Sequence, residues 1–132
     1  MFIALALSAF AAGDTPKNDA SLAAGLLGTW KAPENRHSPK ICGEITYTPD
    51  GMATGYSTAL VPSTNGSPHA VRINLKARWK IENHILVLSD IESDPSGIMP
   101  KGTLLKYEII SLNATELVFK NLKDGAELYR HR

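Results

Sequence analysis

The stretch that decides the fold is "AVRINLKARWKI", residues 70–81. Apolar and polar side chains alternate along its last eleven residues, Val71 to Ile81. The apolar set is Val71, Ile73, Leu75, Ala77, Trp79 and Ile81, and the polar set is Arg72, Asn74, Lys76, Arg78 and Lys80. Successive side chains of a β-strand point to opposite faces of the sheet, whereas a helix would distribute these charges all round. The stretch therefore predicts a strand with one face in a core and the other in water.

Seven further stretches also have strand character, which brings the predicted total to eight. They are residues 29–32, 41–48, 52–60, 85–90, 103–112, 116–120 and 126–131. Three links, "PDG", "ENH" and "NAT", are short enough for hairpin turns, and they alternate with the longer "PENRHSPK", "VPSTNGSPH" and "IESDPSGIMPKG". Alternate links of an up-and-down sheet fall at opposite ends. We therefore expect a base with tight turns and a rim with long loops.

This order of strands and links predicts an all-β fold, an eight-stranded antiparallel up-and-down β-barrel preceded by a short N-terminal helical turn. Eight strands enclose a space about wide enough for side chains or one small ligand, and closure removes exposed strand edges. A two-sheet sandwich of the same strands is the alternative. We favour the barrel because every connection can be a simple hairpin.

The N-terminal residues "MFIALALSAFAAG" form an apolar run that ends in the small-x-small pattern Ala9-Phe10-Ala11. This pattern predicts a signal peptide over residues 1–11, a flexible tether over 12–20 and a barrel domain over 21–132. A bilayer span needs about 20 apolar residues, so no stable membrane anchor is expected. The predicted location is periplasmic or secreted. An ordered N-terminal helix of a cytosolic protein is the alternative interpretation.

Composition and spacing argue against several functions. Formal charge is +1 from 14 basic and 13 acidic residues, so no nucleic-acid partner is expected. Cys42 is the single cysteine, and the four histidines lack metal-ligand spacing. No G-x-S-x-G motif occurs. We expect neither an enzyme nor a resident metal or cofactor.

The first tryptophan, Trp30, follows the helical turn of residues 21–27 in the triplet "GTW". Successive strands of an up-and-down barrel run in opposite directions. The first strand therefore starts at the base, and the last strand, "GAELYRHR", ends there. Arg130 or Arg132 can therefore lie near Trp30, where a guanidinium can stack on the indole. Gly28 permits a sharp turn into the strand. We assign Gly28, Trp30 and Arg130 to a structural base that closes the barrel.

The same residues carry a family resemblance. "GTW" resembles the G-x-W motif of the lipocalin-like (calycin) group, and a terminal arginine matches its partner. The stretch "GEITYTPDGMATGYS", residues 43–57, resembles the Y-T-P-D-G hairpin of small bacterial lipocalin-like domains. The resemblance covers roughly residues 22 to 132 at the level of pattern. It implies a barrel that carries a small apolar ligand.

Two functions are compatible with the predicted barrel. The first is an exported binding protein that holds a small, mostly apolar ligand in the barrel cup. The side chains predicted to line the rim half of that cup are Tyr56, Thr58, Val71, Ile73, Leu105, Tyr107 and Phe119. The second is a ligand-free barrel that acts as an interaction or structural module, with another envelope protein as its partner. A hollow interior would favour the binding protein, and a packed interior would favour the interaction module.

Overall fold

The computed structural model describes residues 18–32, 43–61, 64–94 and 101–132, and of residues 59–61 it describes the backbone alone. The predicted signal peptide, most of the predicted tether and Cys42 lie outside the described residues.

One helix and eight strands make up the described chain. Helix α1 spans Asp19–Leu26, and the strands are β1 (Gly28–Lys31), β2 (Gly43–Tyr47), β3 (Met52–Val61), β4 (His69–Glu82), β5 (Ile85–Asp94), β6 (Leu105–Leu112), β7 (Glu116–Asn121) and β8 (Glu127–His131). They form a closed barrel in the order β1 to β8, and every neighbouring pair is antiparallel. The predicted eight-stranded antiparallel up-and-down barrel is confirmed, and the sandwich alternative is wrong.

The three short connections β2–β3, β4–β5 and β6–β7 lie at one end of the barrel, which is the base. Asn83 and His84 of the β4–β5 turn both have positive φ, 52° and 67°. Two successive residues with positive φ define the type I′ turn that best suits the right-handed twist of a hairpin. The opposite end, where β1 ends and β2 begins, is the rim.

Strands β3, β4 and β5 continue past the closed part of the barrel toward the rim. Strand β6 pairs with β5 only over residues 85–88, and β2 pairs with β3 only as far as Ser57. We call the remaining three-stranded part, residues 57–61, 69–75 and 91–94, the extended sheet. Its inner face carries Ser57, Val71, Ile73, Leu75, Ile91 and Ser93, because Ser57 is opposite Ile73 and Leu75 is opposite Ser93.

The apolar core is concentrated toward the base. Six large side chains are fully buried there: Trp30, Leu22, Leu26, Leu86, Leu112 and Leu117. Leu22 and Leu26 are four residues apart, so they share one face of α1, and that face packs on the barrel core. Burying one leucine side chain contributes about 1.5–3 kcal/mol. Helix α1 therefore closes the base.

A carboxylate joins α1 to the base. The Asp19 side chain accepts hydrogen bonds from the backbone N–H groups of Asn83, at 2.7 Å, and His84, at 2.9 Å. Asn18 caps the same helix end, since its Oδ1 accepts from the Ser21 N–H at 2.8 Å. The bonds from His84 and then Asn83 lower the pKa of Asp19 below its ordinary 3.8.

This contact predicts a pH-dependent stability difference. A carboxylate whose pKa is lower in the folded chain stabilises the fold above its unfolded pKa, and the contribution is lost as pH falls through the folded value. Asp19→Asn is therefore expected to be less stable than the parent at pH 7. The difference should shrink below about pH 4 and then vanish. Urea unfolding of both proteins from pH 7 to pH 2.5 measures it, and a difference that stays constant with pH would exclude the ionic contribution.

Candidate binding site in the barrel interior

Trp30 is the centre of the base. Its Nε1 donates to the Leu26 carbonyl at 2.8 Å, and its ring is covered by the Arg132 guanidinium, whose central carbon lies 4.0 Å from the ring centroid. Arg132 also donates to the carbonyls of Leu27 and Gly25, at 2.9 and 2.8 Å. These carbonyls belong to the end of α1, where helical partners run out. One arginine therefore satisfies the helix end and covers the indole.

Gly28 has φ +106°, and a Cβ at this position would lie 2.5 Å from Arg132 Nη1. The residue therefore serves both the turn out of α1 and the close approach of Arg132. A side chain here would have to displace the guanidinium.

The assignment of Arg130 to this base is wrong. In the register of β1 and β8, Lys31 is opposite His131, so Trp30 is level with Arg132. Arg130 is instead opposite Leu117 of β7, which is 1% exposed, and its side chain enters the barrel interior. The two arginines are two residues apart and share a face, so only the pairing register could separate their roles.

Two of the predicted lining residues face outward. Ala53 of β3 is opposite the buried Tyr47, so the inner face of β3 carries Ala53, Gly55 and Ser57. Tyr56 and Thr58 therefore lie on the outer face, and the prediction that they line the cup is wrong. The Tyr56 ring is covered by the Arg72 guanidinium, 3.9 Å from its centroid. The prediction failed because β3 carries its larger side chains outside and its smallest inside.

The other five predicted lining residues lie on the inner surface, in two groups. Leu105, Tyr107 and Phe119 pack with the core, and the rings of Tyr107 and Phe119 meet edge to face at 4.8 Å. Val71 and Ile73 lie on the inner face of the extended sheet. They are half-buried, and among the described residues they do not pack against the core cluster.

Two interior residues, Tyr47 and Arg130, were missed by the sequence analysis. The Tyr47 ring meets the ring of Trp79, which the alternation along β4 had placed on the inner face, edge to face at 5.6 Å, and Trp79 Nε1 donates to the Thr48 carbonyl at 3.0 Å. The guanidinium carbon of Arg130 lies 5.4 Å from the Phe119 centroid. The alternation of Leu128 and Arg130 in "ELYRH" was the available signal. It placed Arg130 on the same face as an apolar neighbour.

Burial governs the electrostatics of this interior. It raises the pKa of the Tyr47 phenol far above its ordinary value, and the positive charge of Arg130 offsets a smaller part of the change. The pKa of Tyr107 is raised for the same reason. Burial also lowers the pKa of Arg130. At neutral pH both phenols remain protonated, so each keeps a hydroxyl that can donate a hydrogen bond.

The described residues also form a recess on the outside of the base, with a volume of about 250 Å³. It is bordered by Ala24, Gly25, Asn113, Ala114 and Arg132. Within the described ranges, no three histidine, cysteine or acidic residues come together as a metal site would require. The same part of the chain contains no helix with the length and apolar character of a membrane span.

A scan against models of protein families and a search of curated proteins both find no match. The fold therefore defines the class: a closed eight-stranded antiparallel β-barrel with a helix across its base. This architecture is compatible with the lipocalin-like fold.

Proposed function

We propose that this chain is an exported lipocalin-like binding protein that holds a small, mostly apolar ligand against the inner face of the extended sheet. One observation carries the proposal: three apolar side chains of that face, Val71, Ile73 and Leu75, do not pack against the core cluster of the described residues, whereas the base is filled. Ile91, where the extended sheet meets the closed barrel, does pack against that cluster. The family resemblance and the apolar N-terminal run support the binding class and the export, respectively.

The physical argument is one of uncovered apolar area. Val71, Ile73 and Leu75 continue the inward alternation of Ala77 and Trp79 along β4, yet they are only half-buried. Removing apolar area from water contributes about 25 cal/mol per Å². A small apolar molecule laid across these side chains would therefore gain free energy without displacing the core. Ser57 and Ser93 on the same face could orient a polar group, as the few polar residues of binding pockets do.

A ligand-free interaction or structural module in the cell envelope is the second candidate. Three large apolar side chains on the outside favour it: Leu104, Ile110 and Leu122 are 56%, 45% and 44% exposed. Apolar outer surface is a common feature of protein–protein contacts. The two candidates use different surfaces, so inner-face substitutions separate them.

Substitution of Ile73 by asparagine tests the proposal. With the uncharged fluorescent probe N-phenyl-1-naphthylamine, we expect the parent chain to bind and Ile73→Asn to lose roughly tenfold in affinity, since a buried amide without a partner costs at least about 1–3 kcal/mol. The matched control is Thr58→Asn, because Thr58 lies on the outer face of the same sheet. Its affinity should equal that of the parent.

Three outcomes decide between the candidates. If both variants lose probe affinity equally, or if neither variant loses any, the inner face is not the binding surface. Absence of probe binding by the parent, together with native mass spectra that contain only the bare chain, would overturn the binding proposal and favour the interaction module. A co-purified small molecule in those spectra supports it.

A further inference from the structure

Arg130 is a cation inside the barrel, and none of the described acidic residues pairs with it. Its Cα is opposite Leu117, but its guanidinium lies over the ring of Phe119, which is two residues nearer the rim along β7. The side chain therefore extends from the base half of β8 toward the rim. Its Nη1 donates to the Tyr129 carbonyl at 2.8 Å. Within the described part of the chain it forms no ion pair.

The other three arginines of the described ranges have evident structural roles. Arg72 stacks on Tyr56 and donates to the Asn74 side chain at 3.1 Å. Arg78 pairs with Asp90 at 3.4 Å, and Arg132 stacks on Trp30 and holds the end of α1. All three are also exposed. Arg130 differs because it is half-buried among apolar and aromatic side chains.

Two phenols lie within the electrostatic reach of Arg130. Its charge acts on both Tyr47 and Tyr107, and it opposes the rise in pKa that burial causes at each. Both hydroxyls are donors, like the guanidinium. The interior thus presents donors and a positive charge in one region, and this combination favours a negatively charged acceptor.

Burial of a charge is costly unless an opposite charge or hydrogen bonds compensate it. The planar guanidinium matches carboxylate and phosphate oxygens with two parallel hydrogen bonds. We infer that Arg130 binds the anionic headgroup, a carboxylate or a phosphate, of an otherwise apolar ligand, with Tyr47 and Tyr107 beside that headgroup. This inference rests on the proposed function and specifies its ligand as an amphiphile. The apolar part of the ligand extends toward the extended sheet.

The test compares decanoate, decyl phosphate and decanol, which share one alkyl chain and differ in the headgroup. Each is titrated below its micelle concentration into the full chain, with displacement of N-phenyl-1-naphthylamine as the readout. We expect the parent to prefer at least one anion over decanol by roughly tenfold to a hundredfold, the equivalent of a hydrogen bond to a charged group. Arg130→Met should abolish that preference, so that the variant binds the anions no better than decanol. Arg72→Met, at an exposed outer-face arginine, should retain it.

A second measurement does not depend on any variant. In nitrogen-15 spectra of the parent, the Arg130 Nε–H signal should shift with the preferred anion and stay in place with decanol. Equal affinity of the parent for all three probes, or a preference that survives Arg130→Met, would overturn the anion inference while the apolar cup remains. Failure of every probe, including N-phenyl-1-naphthylamine, would overturn the proposed function and this inference together.

Discussion

Replacement of Trp30 by alanine is expected to destabilise the fold by about 3–5 kcal/mol, the usual range for a fully buried tryptophan. Three contributions are lost at once: the burial of the indole, the hydrogen bond from Nε1 to Leu26 and the stacking surface of Arg132. The helix end then loses its connection to β1, and Leu22 and Leu26 face a cavity. Equilibrium unfolding in urea, followed by circular dichroism, measures the change in the free energy of unfolding.

Trp79→Ala is the matched control for the Trp30 experiment. Trp79 is the other tryptophan of the chain and also lies on the inner face, but it is half-buried and donates to Thr48 at the β2–β3 turn. Trp79→Ala should therefore lower the free energy of unfolding by less than Trp30→Ala does. Leu104→Ala, at a 56% exposed side chain, should change stability by less than about 0.5 kcal/mol. A loss below about 1 kcal/mol at Trp30 would contradict its role in closing the base.

Replacement of Gly55 by alanine has the second-largest expected effect, roughly 3 kcal/mol, at the upper end of the range for overpacking. Gly55 is opposite Ile45 on β2 and Leu75 on β4. A Cβ at this position would overlap the Glu44 carbonyl oxygen and approach the Ile45 Cα to 2.8 Å. Both neighbours are backbone atoms, so no side-chain rotation can relieve the contact. The β2–β3 pairing would have to open.

Gly43→Ala is the matched control, since Gly43 faces the same interior from the neighbouring strand. A Cβ at this position comes no closer than 3.1 Å to any atom, the Tyr56 carbonyl oxygen being the nearest. We expect a loss of less than about 1 kcal/mol there. Thermal unfolding of the two variants side by side gives the comparison. Equal losses would show that β2 and β3 do not approach each other unusually closely at Gly55.

Much of the barrel could be predicted because its strongest strand carries an unambiguous pattern. In residues 71–81 every second side chain is apolar and every other one is polar, so the inner face of β4 follows from the sequence alone. Short turns such as Asn83-His84 then set the antiparallel order locally. The burial of Trp30 follows from its place at the start of the first strand, directly after a helical turn.

The faces of β3 could not be predicted with the same reasoning. Its sequence "MATGYSTALV" mixes small, polar and apolar residues on both faces, so alternation assigns no inner side. A shift of one residue in register exchanges the two faces of a strand. The close approach of β2 to β3 at Gly55 decided the outcome, because only a strand with small inward residues fits there. Tyr56 and Thr58 were placed outside for that reason.

The sequence by itself determined the number of strands, their antiparallel order, the helix before them and the buried tryptophan. Each of these depends on local periodicity and turn length, which neighbouring residues encode. Only the tertiary structure decided which arginine covers Trp30, which one enters the interior and how far β3 to β5 extend beyond the closed barrel. The roles of the two arginines depend on the pairing of β1 with β8, 100 residues apart at Lys31 and His131. The extension depends on where β2 stops pairing with β3 and β6 with β5. Barrel closure sets that register, and no local pattern contains it.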